Sequence, residues 1–394
     1  MELIFLSIAK EPTKLWGFEF IFLLIASFIN FGSFGMAIPI FPGYAVSLGA
    51  SLSVAGVVTG MFSVVALVGR PVSGLMGDRL NKKHLLIISA VLNGLITILY
   101  VFVPSIAWVI PVRFLQGLAF SVNGTIAFAL GAEFIPKARM GEGVGFLGVG
   151  QIVGMAIGPN LGIFLVYHFS YQFNFAVSGG IMMLSGLMVL FLKYNPVADE
   201  NKVKRSFKLK DLVAVELLPN ALFAGTFMLG NGLTTSFLVL MGVERGIEGV
   251  GIFFVVNAIV VLLTRPLAGR LIDKKGVAFV VIPGFLITAV SMLFIGFALH
   301  VAFIAGAAVL FALGAGTSMP AIQADCLMRL GKQRSAVATG TYLIGLDIGM
   351  TIGPVVGGIM ADGLGFRTTF VSAAGLMFIG FCMYLLYKKI SRVK

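Results

Sequence analysis

The chain has 394 residues, of which 59% are hydrophobic and 11% charged, and its mean hydropathy is +1.04. So little charge cannot cover the surface of a soluble protein of this length. The formal net charge of +12 does not point to nucleic acid, because the cations sit in short stretches between long apolar runs.

An apolar run of about 20 residues spans a bilayer core, and it must be helical there because lipid offers the backbone no hydrogen-bond partner. Met1 to Leu15 reads as a tail rather than a signal peptide, since no short apolar region ends in a small-residue cleavage site. Twelve spans follow, at 17–46, 52–77, 85–104, 108–133, 141–167, 172–193, 216–241, 249–272, 277–299, 302–325, 335–362 and 367–387. Between the sixth and the seventh, Tyr194 to Val215 is polar and carries Lys202, Lys204, Arg205, Lys208 and Lys210. It reads as a linker between a six-helix bundle at 1–193 and another at 216–394. The expected class is an all-α membrane protein, in which the 50 glycines and 36 phenylalanines allow close helix packing inside a lipid-facing shell. Cys326 and Cys382 lie in apolar context and form neither a metal-ligand spacing nor a disulfide framework.

The basic residues set the orientation. One side collects Lys10, Lys14, Arg79, Lys82, Lys83, Lys137, Arg139, the linker cations, Lys274, Lys275, Arg329, Lys332, Arg334 and the tail to Lys394; the other has little beyond Arg245 and Arg367. Both termini and the linker are expected in the cytoplasm of a multi-pass cell-membrane protein. The basic surplus is expected to meet anionic lipid headgroups.

The two halves repeat. Arg70-Pro71-Val72-Ser73-Gly74-Leu75-Met76-Gly77-Asp78-Arg79 recurs as Arg265-Pro266-Leu267-Ala268-Gly269-Arg270-Leu271-Ile272-Asp273-Lys274, and Gly154-x-x-x-Gly158-Pro159-x-x-Gly162 recurs as Gly349-x-x-x-Gly353-Pro354-x-x-Gly357. Both matches stand at a shift of 195 residues. Two matches at one shift imply parallel repeats, with a transport route between them.

Gly74-x-x-x-Asp78-Arg79-x-Asn81-Lys82-Lys83 resembles the loop signature of the major facilitator superfamily, departing from it at Asn81, where the family usually has glycine. Asparagine tolerates a positive φ better than most residues, so the turn is expected to survive. Arg113-Phe114-Leu115-Gln116-Gly117 resembles a second signature, and Gly154 to Gly162 a third that is associated with drug:proton antiporters.

The resemblance implies two pseudo-symmetric six-helix bundles in the major facilitator fold, usually monomeric. It places Asp78 opposite the helix start near Ser335 to Thr339, where a carboxylate caps orphan N–H groups and meets the positive end of the helix. Asp273 would act likewise, more weakly, near Gly141 to Gly145. Gly74, Asp78, Arg79, Glu133 and Asp273 form the expected cytoplasmic gate, with Arg79 paired to Glu133. The competing reading is topological, cations beside an acidic cap that only hold the loop inside. The glycines Gly154, Gly158 and Gly162 with Pro159 either seal an exporter against leak or simply pack tightly.

The same fold implies a central cavity lined by the first, fourth, seventh and tenth spans. Asn30, Arg113, Gln116, Phe120, Asn123, Phe227 and Asn231 are its candidates, and they suit an amphipathic small molecule; helix–helix hydrogen bonding uses the same amides. Asp347, in the middle of its span, is the first candidate for proton coupling and Glu19 the second. A charged aspartate in a span costs about 2.5–3.5 kcal/mol on insertion scales, so Asp347 is protonated part of the time, paired, or wet. Arg113 is a possible partner for either carboxylate, or a holder for an anionic substrate. The sequence has no phosphate-cradling loop and no metal-type cluster, so no cofactor and no enzymatic activity are expected. The readings are a proton-coupled exporter of small amphipathic molecules, a proton-coupled importer of an organic acid, sugar or peptide, or a membrane scaffold without transport.

Overall fold

A computed structural model of the chain describes residues 14–38, 40–50, 52–194 and 212–391. Lys10, the linker cations Lys202, Lys204, Arg205, Lys208 and Lys210, and the end of the tail at Lys394 lie outside the described residues. The helices are α1 (Phe18–Ala37), α2 (Phe41–Ser47), α3 (Leu52–Arg79), α4 (Lys82–Leu99), α5 (Ile106–Glu133), α6 (Met140–His168), α7 (Tyr171–Met188), α8 (Leu218–Glu244), α9 (Ile252–Lys275), α10 (Ala278–Gly296), α11 (Val301–Leu330) and α12 (Ser335–Ser391).

Among the described residues, ten stretches are long and apolar enough to cross a membrane. One of them, Lys332–Ile390, is two helices, because Gly365 adopts φ 77° inside α12 and breaks it. Helix α8 has 27 residues, long enough to span a bilayer core. The expected first span, 17–46, is divided between α1 and α2, with Pro42 in the first turn of α2, where its missing N–H costs nothing.

Local chemistry explains the helix ends. Asn81 precedes α4 in an extended conformation (φ −70°) and its side chain accepts from the His84 N–H. The expected tolerance of positive φ is therefore not used; asparagine serves as an N-cap. At the matching place in the second half, Gly276 does take φ 84°. Ser170 caps α7 by accepting from the Phe173 N–H. The Arg245 guanidinium donates to the carbonyls of Gly296 and Ala298, both at 3.0 Å, and so satisfies the orphan acceptors at the end of α10.

The described residues divide into two compact units. The first comprises the chain up to Arg139 together with Val153–Ala214 and Leu327–Gly340; the second comprises Met140–Ile152, Val215–Cys326 and the chain from Thr341 on. Each unit thus contains the first turns of a long helix whose remainder belongs to the other. In the first unit α3 packs on α5, and α4 on α5 and α7. One of its cores gathers Leu23, Leu86, Ile126, Leu130 and Ala336. Another gathers Phe41, Tyr44, Tyr100 and Phe175, where the Tyr44 hydroxyl donates to the Tyr100 carbonyl at 2.7 Å. The core of the second unit is more apolar, with Phe227 stacked on Phe285 at 4.2 Å and both fully buried.

Candidate functional site

Asp78 stands one residue from the end of α3 and is 8% exposed. Its Oδ1 accepts from the Ala336 N–H at 2.9 Å and its Oδ2 from the Val337 N–H at 3.0 Å. These are orphan donors of the first turn of α12, which no intrahelical carbonyl can reach. The carboxylate also meets the positive end of the helix dipole. Gly74, one turn earlier, lets the two segments approach: a Cβ there would stand 3.0 Å from the Ala336 carbonyl oxygen.

The second unit repeats the arrangement. Asp273 accepts from the Gly141 N–H at 2.7 Å and the Glu142 N–H at 3.0 Å, at the start of α6. A Cβ at Gly269 would stand 2.6 Å from the Gly141 oxygen. The arginines follow suit, since Arg70 donates to the Ser121 carbonyl at 3.3 Å and Arg265 to the Gly316 carbonyl at 3.2 Å. Acceptor, donors, glycine and arginine all recur at the shift of 195 residues read from the sequence. The sequence located both carboxylates; the bidentate geometry is what the fold adds. Asp273 is half-buried where Asp78 is buried.

Glu133 ends α5 and is 7% exposed. The sequence reading gave it Arg79; the structure puts Lys82 on it, with Nζ 2.6 Å from Glu133 Oε1 and the lysine 2% exposed. Lys82 Nζ also lies 4.0 Å from Asp78 Oδ1. Two further contacts had no sequence signal. The Tyr194 hydroxyl donates to Glu133 Oε2 at 2.8 Å, and Lys332 Nζ donates to the Glu133 carbonyl at 2.8 Å. In the second unit a buried acid at a different position of the repeat, Glu142, is held by Arg270 at 2.9 Å.

Several cavity candidates turn inward within their own unit. Arg113 is 5% exposed, donates to Gln116 Oε1 at 2.8 Å, and lies 3.9 Å above the Phe41 ring and 4.7 Å above the Phe62 ring. Gln116 is 1% exposed; it also accepts from the Tyr100 hydroxyl at 3.0 Å and donates to Thr97 Oγ1 at 3.1 Å. Asn30 donates to Ser185 Oγ at 3.0 Å, and Asn123 reaches Ser89 Oγ at 3.5 Å. Both line a small void among α1, α4, α5 and α7, of about 10 Å³, room for about one water. Phe227 is a core residue. A strict 3.6-residue rhythm identifies one face of a helix but not whether that face meets a cavity or a neighbouring helix. Phe120 is half-buried, stacked on Phe34 at 4.4 Å, and Asn231 is half-buried with its amide 3.7 Å from Met228 Sδ.

Asp347 is half-buried on α12. On either side of it α12 meets α8 backbone to backbone: a Cβ at Gly345 would lie 2.9 Å from Ala221 Cα, and one at Gly349 2.9 Å from the Leu229 nitrogen. Glu19 is half-buried in the first turn of α1, where an acid suits the helix dipole. Asn220 is buried and donates to Asp325 Oδ2 at 2.7 Å. The glycines of α6 meet α1 in the same manner. Built Cβ atoms would stand 2.8 Å from the Gly32 nitrogen at Gly154, 2.9 Å from Gly35 Cα at Gly158, and 2.9 Å from Met36 Cα at Gly162. Pro159 falls inside α6 among them. Among the described residues no cluster of His, Cys, Asp and Glu could hold a metal ion.

Comparison with known proteins agrees with this architecture. The family profile described as Major Facilitator Superfamily matches residues 23–342 and 221–394. An uncharacterised MFS-type transporter of Methanocaldococcus jannaschii is 26% identical over 92% of this chain and 96% of its own length. The multidrug resistance protein MdtG of Klebsiella pneumoniae is 25% identical, covering 90% and 89%. The multi-drug resistance efflux pump PmrA of Streptococcus pneumoniae is 24% identical, covering 89% and 92%. In fold the chain is similar to the Major Facilitator Superfamily transporter FucP in its outward conformation, with a TM-score of 0.76 at 15% identity over 94% of this chain and 98% of that one.

Proposed function

This chain belongs to the Major Facilitator Superfamily and is a multi-pass membrane transporter, and we propose that it is a proton-coupled exporter of small amphipathic molecules that works by alternating access. The observation that carries alternating access is the pair of carboxylate caps, Asp78 on α12 and Asp273 on α6, at one repeat shift. Each is a two-state element: bonded, it clamps a helix start into one unit; released, it frees it. Export is supported by the relatives named for multidrug resistance and efflux.

The energy source in this reading is the proton gradient, with Asp347 as the coupling carboxyl. An aspartate within a span is costly when charged, and proton exchange turns that cost into coupling. Glu19, at a helix start, is the weaker candidate. The termini and linker lie in the cytoplasm, where the basic residues collect, and meet anionic headgroups. The importer of an anionic substrate loses its main support, because Arg113 is enclosed by Gln116, Phe41 and Phe62.

The test is uptake of a fluorescent cationic dye into inverted vesicles under an imposed pH gradient. Accumulation in inverted but not right-side-out vesicles is expected, and Asp347→Asn should abolish the dependence on the gradient. Gradient-driven accumulation at the wild-type rate in that variant would refute the coupling role. Accumulation only in right-side-out vesicles would reverse the direction.

A further inference from the structure

Glu133 is held from two sides. Its Oε1 takes Lys82 at 2.6 Å and its Oε2 takes the Tyr194 hydroxyl at 2.8 Å. Lys82 in turn stands 4.0 Å from Asp78, the residue that caps α12. The chain that brings Tyr194 here is itself fastened, since Lys83 Nζ donates to the Leu190 carbonyl at 2.8 Å and the Leu192 carbonyl at 2.7 Å. The Tyr194 ring meets Phe134 edge-on at 6.1 Å and packs on the core that contains Ala336, one of the two donors to Asp78. Burial first, and the Glu133 carboxylate second, push the Tyr194 hydroxyl far above its ordinary range, so it stays a donor at any physiological pH.

The repeat supplies an internal control. The second unit has the same aspartate cap, yet the positions matching Lys82 and Glu133 are Val277 and Met328. A cap of this type therefore forms without a lysine and a glutamate at these positions; the second unit instead has Glu142, whose N–H donates to Asp273, paired with Arg270 at 2.9 Å.

We propose that Tyr194 is a positioning residue for the Asp78 cap, acting through Glu133 and Lys82. With the hydroxyl in place, Glu133 keeps both oxygens occupied and holds Lys82 beside the carboxylate. Without it, Glu133 gains a free oxygen and Lys82 is no longer fixed at that distance. The proposal rests on reading the Asp78 cap as a gate.

The test needs no substrate, so it is independent of the transport reading. In purified protein with Cys326 and Cys382 replaced by alanine, Ser335→Cys places a thiol at the buried start of α12. Its rate of modification by a water-soluble maleimide reports release of that helix start. Tyr194→Phe removes only the hydroxyl, and Glu133→Gln tests the same link if the first variant is poorly made. Each should raise the labelling rate by roughly three- to tenfold, the range of one hydrogen bond to a charged group that is partly replaced by water. In an Asp78→Asn background Tyr194→Phe should add nothing, because the link then has no cap to act on. Unchanged labelling in both single variants, or an effect that simply multiplies with that of Asp78→Asn, would overturn the proposal. Unchanged labelling in Asp78→Asn itself would instead remove the gate reading beneath it.

Discussion

Replacing Asp78 by asparagine is the sharpest perturbation of the proposed gate. The side chain keeps its shape, but one carboxylate oxygen becomes an NH2 group facing either the Ala336 or the Val337 N–H. One of the bonds at 2.9 and 3.0 Å is replaced by two opposed donors, and the other loses its ionic character. A hydrogen bond to a charged group contributes about 1.5–3 kcal/mol, and a charge at a helix end about 0.3–1 kcal/mol, up to about 2 when partly buried. Relaxation of the helix start recovers part of this. The net bias against the capped state is about 2–4 kcal/mol, or roughly 30- to 700-fold in its population. Asp273→Asn should do the same in a weaker form, because Asp273 is half-buried and water can replace what it loses. The assay is the maleimide labelling of Ser335→Cys beside dye transport in vesicles, with the thermal unfolding midpoint as a control. Faster labelling, impaired transport and a nearly unchanged midpoint are expected. Labelling and transport at wild-type rates would refute the gate. A midpoint that falls in step with transport would mean that Asp78 only stabilises the fold.

Substitutions at two further positions separate packing from function. Gly158→Leu should reduce folded protein rather than create a leak, since even a Cβ there would stand 2.9 Å from Gly35 Cα; normal yield with a raised passive proton leak would favour the seal instead. Arg113→Met should keep the fold, because an unbranched apolar chain fills the space between Phe41 and Phe62 and removes a buried charge. Arg113→Ala should lose about 2–5 kcal/mol through the cavity it leaves, read as a drop in the unfolding midpoint; loss of transport in both variants with the Met variant fully folded would restore Arg113 as a substrate-binding group.

The sequence carried the helices and the caps because both are one-dimensional signals. A membrane span announces itself by length, and a signature repeated at one shift announces its geometry twice. The observed limits of α5 and α6 lie within two residues of the expected 108–133 and 141–167. The division of the first span followed Pro42 and was missed because apolarity continues across it. The interior of the first unit was harder to read. Asn30, Gln116 and Asn123 sit on regular faces, but their partners Ser185, Thr97 and Ser89 come from helices whose rotation no single stripe specifies. Tyr194 carried no signal at all, being one aromatic residue at the edge of a polar stretch.

Where the repeat is kept and where it is abandoned divides the molecule into two kinds of residue. Kept are Gly74 and Gly269, Asp78 and Asp273, Arg70 and Arg265, and the donors at 336 and 141, all of which act on backbone. Backbone groups are the same in every sequence, so an interaction with them survives divergence of the halves. Abandoned are the side-chain pairs. Arg113 and Gln116 match Ala308 and Phe311, Asn30 matches Gly225, and Tyr100 matches Ile295. The first unit thus closes its interior with hydrogen bonds and a buried guanidinium, the second with aromatic stacking around Phe227 and Phe285. A polar interior has few alternative arrangements that satisfy every donor, whereas an apolar one repacks at small cost. On this argument the first unit is the stiffer of the two and the second repacks more readily. Asp347, between two backbone contacts of α12 with α8, lies in the second.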